Sequence, residues 1–244
     1  MAVSVASVAW ADSTGTSSSA VSIKVIPSKL SKKSYKGAKL TVETSTLSNT
    51  NPGTPTHPGT VPVSTKDVKL KLDKDIKFTT KGLPQCTKSL ENTTTQQALS
   101  LCKKAKVGGG AATACISGGV SGGPCTGLIS FKVTAFNGKP KGGKPTLLLH
   151  SRNDANSLTT VLVGKLNTKS NVLDVPIPAS VYNLATITDF KTTVSRSYKS
   201  KGKKYSYVAA RCSHKKLTMK GTFSYVSASE PTDHPTATSK CTGK

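Results

Sequence analysis

Apolar and polar residues alternate along much of this chain. Val21, Ile23 and Val25 are separated by Ser22 and Lys24, and Val68, Leu70 and Leu72 by Lys69 and Lys71. The same pattern runs through Leu40 and Val42, through Ile129, Phe131, Val133 and Ala135, and through Leu217, Met219, Phe223 and Tyr225. A period of two puts one face of a segment in a core and the other in water, so these runs are expected to be strands. One segment departs from it. Between Thr94 and Lys104, with Ala105 just beyond, Ala98, Leu99, Cys102 and Ala105 mark one face of a helix. Asn92 to Thr95 offer caps there, and Thr93 with Gln96 fits a capping box. Many short strands and one helix predict an all-β fold, an antiparallel β-sandwich with one short helix.

Composition makes that core thin. Leu, Ile, Val and Phe together are 51 of 244 residues, just above the roughly 20% below which a charged chain is expected to stay disordered. Cross-links are therefore expected to matter. There are six cysteines, Cys86, Cys102, Cys115, Cys125, Cys212 and Cys241. The number is even and there is no C-x-x-C pair, and the four histidines lack ligand-like spacing to cysteine. Disulfides are thus favoured over zinc, and no cofactor is expected. Six cysteines allow 15 connectivities. Locality favours Cys86–Cys102, Cys115–Cys125 and Cys212–Cys241, each adding about 2–4 kcal/mol.

The cysteines and the small, apolar start of the chain both point to export. Residues 1–11 are read as the remnant of a signal peptide, with Ala9-Trp10-Ala11 as the cleavage pattern. Residues 12–20 read as a disordered polar tether. Residues 21–244 read as a single β-sandwich domain, interrupted by a Pro-rich loop over 47–65. No apolar run approaches the ~20 residues of a membrane helix. The expected location is extracellular or at the cell envelope, without membrane insertion.

Several catalytic patterns are matched only formally. Gly119-Val120-Ser121-Gly122-Gly123 fits G-x-S-x-G, but a strand-like run follows where a nucleophile elbow needs a helix. Ser121, Asp189 and His214 occur in a usable order, with nothing in the sequence to bring them together. Gly138 to Pro145 comes within one residue of a phosphate-binding loop, but Pro145 stands where the Mg²⁺-binding hydroxyl belongs. The expected structures are a Gly-rich tip closed by Cys115–Cys125 and a basic turn between two strands. Asp73-Lys74-Asp75 lacks the acidic neighbours of a calcium loop.

Charge is the feature above background. Lys+Arg is 35 against 11 Asp+Glu, a net +24, and only Arg152, Arg196 and Arg211 are arginine. A lysine-dominated surface is poor in the bidentate groups that read nucleic acids specifically. Lys24, Lys39, Lys69, Lys71, Lys77, Lys132 and Lys220 occupy the polar phase of different strands and are expected to spread over outer faces. Spread evenly, the net charges would sit roughly 20 Å apart, well beyond a Debye length of about 8 Å. That arrangement serves solubility. Two segments concentrate charge instead. Lys199, Lys201, Lys203 and Lys204 sit on an expected hairpin tip flanked by Tyr198, Tyr205 and Tyr207, and Lys29 to Lys39 form a second cluster. Such tips suit a polyanion.

The strings Leu72 to Phe78, Asn92 to Ala98, Ala135 to Gly138, Leu147 to Ser151 and Tyr207 to Cys212 resemble a group of exported, lysine-rich, uncharacterised β proteins of high-GC Gram-positive bacteria. The resemblance implies export and a single domain, and no activity. The function expected is a non-enzymatic secreted protein, structural or binding anionic polysaccharide or another cell-wall polymer, with non-specific nucleic acid as a further partner. The alternatives are a secreted hydrolase with an active site not visible in the sequence, around His150 or Ser121, and a protein-interaction module that docks through the Pro-rich loop.

Overall fold

The alternating runs fold as strands in the computed structural model, which describes residues 8–243. In chain order they are β1 (Ala9–Trp10), β2 (Ser17–Ile26), β3 (Lys29–Leu30), β4 (Lys36–Gly37), β5 (Lys39–Ser48), β6 (Thr65–Leu72) and β7 (Ile76–Phe78). Helix α1 (Thr95–Cys102) and a 3₁₀ turn (Lys103–Ala105) lead into β8 (Lys106–Ile116), β9 (Gly127–Lys141), β10 (Lys144–Asn153), β11 (Leu158–Asn167) and β12 (Val172–Pro176). After a one-turn helix, α2 (Ala179–Tyr182), come β13 (Ala185–Val194), β14 (Ser197–Ser200), β15 (Lys203–Ser206), β16 (Val208–Ala210), β17 (Lys216–Tyr225), β18 (Thr236–Lys240) and β19 (Thr242–Gly243).

Twelve strands make one antiparallel sheet in the order β1-β2-β5-β13-β8-β9-β10-β11-β12-β6-β17-β18. Sequential hairpins build its middle, β8 to β12. The flanks β2-β5-β13 and β6-β17-β18 face a shared interior, to which one contributes Ile23, Leu40 and Val194 and the other Leu70, Met219 and Phe223. No backbone ladder joins β2 to β18 among the described residues. Beside the short pairing with β1, side chains satisfy further donors along the outer edge of β2. Its Ser17 N–H donates to Glu230 Oε1 (2.7 Å), its Ser19 N–H to Asp233 Oδ2 (2.6 Å) and its Val25 N–H to Ser239 Oγ (3.2 Å). An edge covered this way offers little to a foreign strand.

The cysteines pair as locality predicts: Cys86–Cys102, Cys115–Cys125 and Cys212–Cys241. The helix is also found, with its cap one residue later than expected. Thr94 is the N-cap, its hydroxyl accepts from Gln97 N–H, and Gln97 Oε1 accepts from Thr94 N–H. Thr93 is diverted because its hydroxyl donates to Leu90 O (2.7 Å) and meets His150 Nε2 (3.1 Å). The second short helix, α2, was not anticipated. It follows Pro178 and is too short to show a period.

The expected tether over 12–20 is corrected at its second half. Ser17 to Ala20 belong to β2, and Ser17 and Ser19 are buried because their polar groups are paired with Glu230, Asp233 and Val63. Of the expected signal remnant, residues 1–7 lie outside the described residues, and Ala9–Trp10 pair with Val21 and Ala20. The Pro-rich loop packs against the body, with Pro58 and Pro62 buried. Thr188 Oγ1 donates to Pro55 O (2.8 Å).

The flanks do not fill the space between them. An apolar void of about 110 Å³ remains, lined by both.

Candidate anion-binding surface

The expected hairpin tip is formed by β14 and β15. Lys201 (φ 48°) and Gly202 (φ 75°) make its turn, the paired positive φ values that a two-residue hairpin turn requires. Lys199 faces Lys204 in register, and all four tip lysines are exposed. Tyr198 stacks on Tyr205, with centroids 5.7 Å apart and planes 22° apart. The Tyr198 hydroxyl is committed to the body, donating to Thr79 O (3.0 Å) and Lys81 O (2.9 Å). Tyr207 is corrected out of the tip. It is 2% exposed, packs edge-on against Phe78 at 5.7 Å, and burial pushes its phenol pKa up.

The second lysine cluster stands next to the tip, because β4 lies beside β15 and pairs with β16. Lys29, Lys32, Lys33, Lys36 and Lys39 are exposed. Lys77 and Arg211 both approach the Tyr35 ring, at 4.8 and 4.9 Å from its centroid.

A third cluster appears where the sequence suggested dispersal. On the outer face of β12, β6, β17 and β18, the register sets Val172, Lys71, Lys220 and Thr236 in one row. Lys69 stands opposite Thr222 in the next row. These side chains, with His234, line a groove of about 470 Å³. Lys69 is paired with Asp67 at 2.8 Å, and that bond raises its pKa. Burial and the neighbouring Asp67 push Asp174 up. Lys71 and Lys220 have no carboxylate within ion-pair distance among the described residues. Like charges directly opposite one another destabilise a sheet. An anion seated between them removes that repulsion. Lys69, Lys71 and Lys220 were read as separate because β6 and β17 lie far apart in the chain.

The formal catalytic patterns do not assemble. Ser121 is exposed in the β8–β9 connection closed by Cys115–Cys125. Asp189 accepts from Ser45 Oγ at 3.1 Å, while His214 lies beside Asp73 and Asp75. Gly138 to Pro145 forms the β9–β10 hairpin, turning at Gly142 and Gly143. Asp73, Asp75 and His214 bring ligand-type atoms within 4.8 Å of one another, but the carboxylates already serve the chain. Asp75 accepts from Arg211 Nε (2.7 Å), Ser213 N–H (2.8 Å) and Ser213 Oγ (2.6 Å). Asp73 accepts from the Asp75 and Thr218 N–H groups. Burial alone would raise the Asp75 pKa; Ser213 and Arg211 hold it below the usual value. The cluster staples the β6–β7 turn to the segment before β17.

His150 is fully buried on β10. Its Nε2 donates to Thr93 O (3.0 Å), which also accepts from Thr159 Oγ1 (3.1 Å), so the ring ties the approach to α1 onto β10 and β11. Burial lowers its pKa, aided by Arg152. The Thr93 hydroxyl is the side-chain group within hydrogen-bond distance of the ring among the described residues, and it already donates to Leu90 O. Comparison with protein-family models, curated proteins and solved structures finds no match for this chain. No helix among the described residues is long and apolar enough to cross a membrane.

Proposed function

We propose that this protein is an exported, non-enzymatic member of the lysine-rich group it resembles, and that it binds anionic polymers of the cell envelope. In this reading the two flanks of the sheet act as the layers of a β-sandwich whose outer faces carry the lysines. The observation that carries the proposal is the confrontation of Lys71 and Lys220 inside a groove that also holds Lys69 and His234. The β14–β15 tip supplies a second contact. A polymer with regularly spaced phosphate or carboxylate groups bridges such sites, each neutralised charge releasing a counterion.

Purified teichoic acid tests it across a salt series, using three triple variants. Lys69/Lys71/Lys220→Gln empties the groove, Lys199/Lys203/Lys204→Gln weakens the tip, and Lys24/Lys132/Lys169→Gln removes dispersed charge. Each takes the net charge from +24 to +21 by loss of three lysines, so global effects cancel. The groove variant is expected to lose the most affinity and the most salt dependence, by roughly 0.7–0.9 in slope per lost contact. Equal losses in all three would mean diffuse charge and overturn the site.

A further inference from the structure

The antiparallel register sorts the connections of the large sheet by end. Ser17 of β2 pairs with Ser48 of β5, Ala185 of β13 with Ile116 of β8, and Ile116 with Gly127 of β9. Followed through β10, β11, β12, β6 and β17, the same register gathers six connections at one end: 11–16, 49–64, 117–126, 154–157, 177–184 and 226–235. None of the six contains a lysine or an arginine. The segments that join the strands at the other end, 27–38, 73–105, 142–143, 168–171 and 195–215, hold 18 of the chain's 35. Positive charge is therefore polarised along the strands. Most carboxylates of the lysine-free end are engaged within the chain: Glu230 with Thr16 and Ser17, Asp154 with Arg152, and Asp233 in its buried network.

The same end exposes apolar surface. Among the described residues, seven of the ten exposed large apolar side chains lie in these connections or within two residues of one, so they are not scattered singly. Val120 (68%) and Leu184 (64%) are the most exposed of them. They share a corner. Ser117 and Gly118 N–H both donate to Leu184 O at 3.1 Å, Val120 N–H donates to Ser117 O, and Ile116 pairs with Ala185. Around them Gly118, Gly122 and Gly123 leave open space where a side chain would stand, so a neighbouring chain can approach closely. Surface charge keeps proteins soluble and monomeric. Here it is withheld from the end that is most apolar.

We propose that two copies of this chain associate end to end through the lysine-free pole, in a two-fold contact centred on Val120 and Leu184. The occupant follows from charge. Copies of a +24 chain repel wherever lysine meets lysine, and at this pole that confrontation does not arise. An acidic partner is drawn to the basic end and to the groove instead. In a two-fold contact the same patch serves both copies. A neutral, apolar patch suits that, because neither side then buries an ion without a counter-charge. The pair turns both basic ends outward.

Sedimentation equilibrium of the full chain, up to about 200 μM, covers the micromolar range of a small interface. Wild type is expected to form a dimer and nothing larger, because a two-fold contact is closed. Association should strengthen with salt, which screens the repulsion between the copies. Val120→Lys and Leu184→Lys each set lysine against lysine across the axis and should weaken association about 10-fold or more. Both positions are exposed, so neither change disturbs the core. Ile26→Lys adds the same charge at an exposed position on the far end of β2 and should leave association unchanged. A monomeric wild type would overturn the proposal, as would equal weakening by all three substitutions or a dimer retained in both Val120→Lys and Leu184→Lys. Association that weakens with salt, or that runs on to open chains, would mean lysines docking on carboxylates head to tail and would overturn it as well. No polymer is present in these measurements, so their outcome is separate from that of the teichoic acid series.

Discussion

Asp233 is the most exacting test of how the sheet ends are held. It is 3% exposed, and its Oδ2 accepts from Ser19 N–H and from the Tyr225 hydroxyl, both at 2.6 Å. The same Tyr225 oxygen lies 2.7 Å from Ser19 Oγ, which reaches Thr46 at 3.0 Å. One carboxylate thus joins β2 to β17 where no ladder does. Asp233→Ala strands the buried Ser19 N–H at about 1–3 kcal/mol and takes from Tyr225, whose hydroxyl keeps Ser19 Oγ, a charge-assisted bond worth about 1.5–3 kcal/mol, so the expected loss is about 2.5–6 kcal/mol, a large share of the 5–15 kcal/mol typical of a domain. Asp233→Asn keeps an acceptor and loses the charge assistance, for about 2 kcal/mol. A cycle with Tyr225→Phe should give a coupling of about 0.5–3 kcal/mol. Urea unfolding with the disulfides intact measures all three, and amide exchange at Ser19 should accelerate in both Asp233 variants. An Asp233→Ala loss below about 0.5 kcal/mol, the scatter of ordinary surface changes, with Ser19 still protected, would refute this account of the edge.

Two further outcomes follow from charge. The folded state resists protonation of His150, so stability should fall as pH drops below about 6.5, the unfolded value. His150→Gln should flatten that slope in urea midpoints between pH 5 and 7, and an unchanged slope would assign the acid sensitivity to other groups. Lys220→Glu converts a repulsive cross-strand pair into an attractive one; it should stabilise the free protein by about 0.2–1 kcal/mol at low salt, an effect that shrinks at high salt, while teichoic acid binding falls.

What could be read from the sequence is what local chemistry determines. Alternation located β2, β5, β6, β9 and β17 because each has one face in a core. Proximity along the chain was enough to pair the cysteines. The strand β8 was missed because its Gly108-Gly109-Gly110 run carries no side-chain period. Those glycines answer to a neighbour, since a Cβ on Gly108 or Gly110 would strike the carbonyl oxygens of Thr193 or Lys191 on β13. Tyr207 was misplaced by counting it with the tip. Val208 and Ala210 alternate around Ala209 and mark β16, but Tyr207 precedes that strand and is out of phase with it, so periodicity gave no signal for its burial. The groove was illegible for a different reason. Which strand lies beside β6 is a long-range choice, and without it Lys71 and Lys220 are two unrelated lysines.

Facing basic residues are not unique to the groove, and the differences among them bear on what the charge is for. Lys141 faces Lys144, Lys199 faces Lys204 and Lys216 faces Lys240. The first two flank hairpin turns, where long side chains splay into water, and the third lies on the last strand pair at the sheet edge. Lys132 faces Arg152, but Arg152 turns away to Asp154 and Ser157 O. Elsewhere the chain uses its few acids to neutralise lysines, as in Lys191 with Glu43 and Lys69 with Asp67. Lys71 and Lys220 are exposed and, among the described residues, have no carboxylate within ion-pair distance. They sit in the interior of a sheet between two further strands, with a third lysine and a histidine lining the same groove. Their Cβ atoms are about 5 Å apart, close enough for one anionic group to meet both side chains. A surface built for solubility alone gains nothing from such a placement, whereas one that receives an anionic group does.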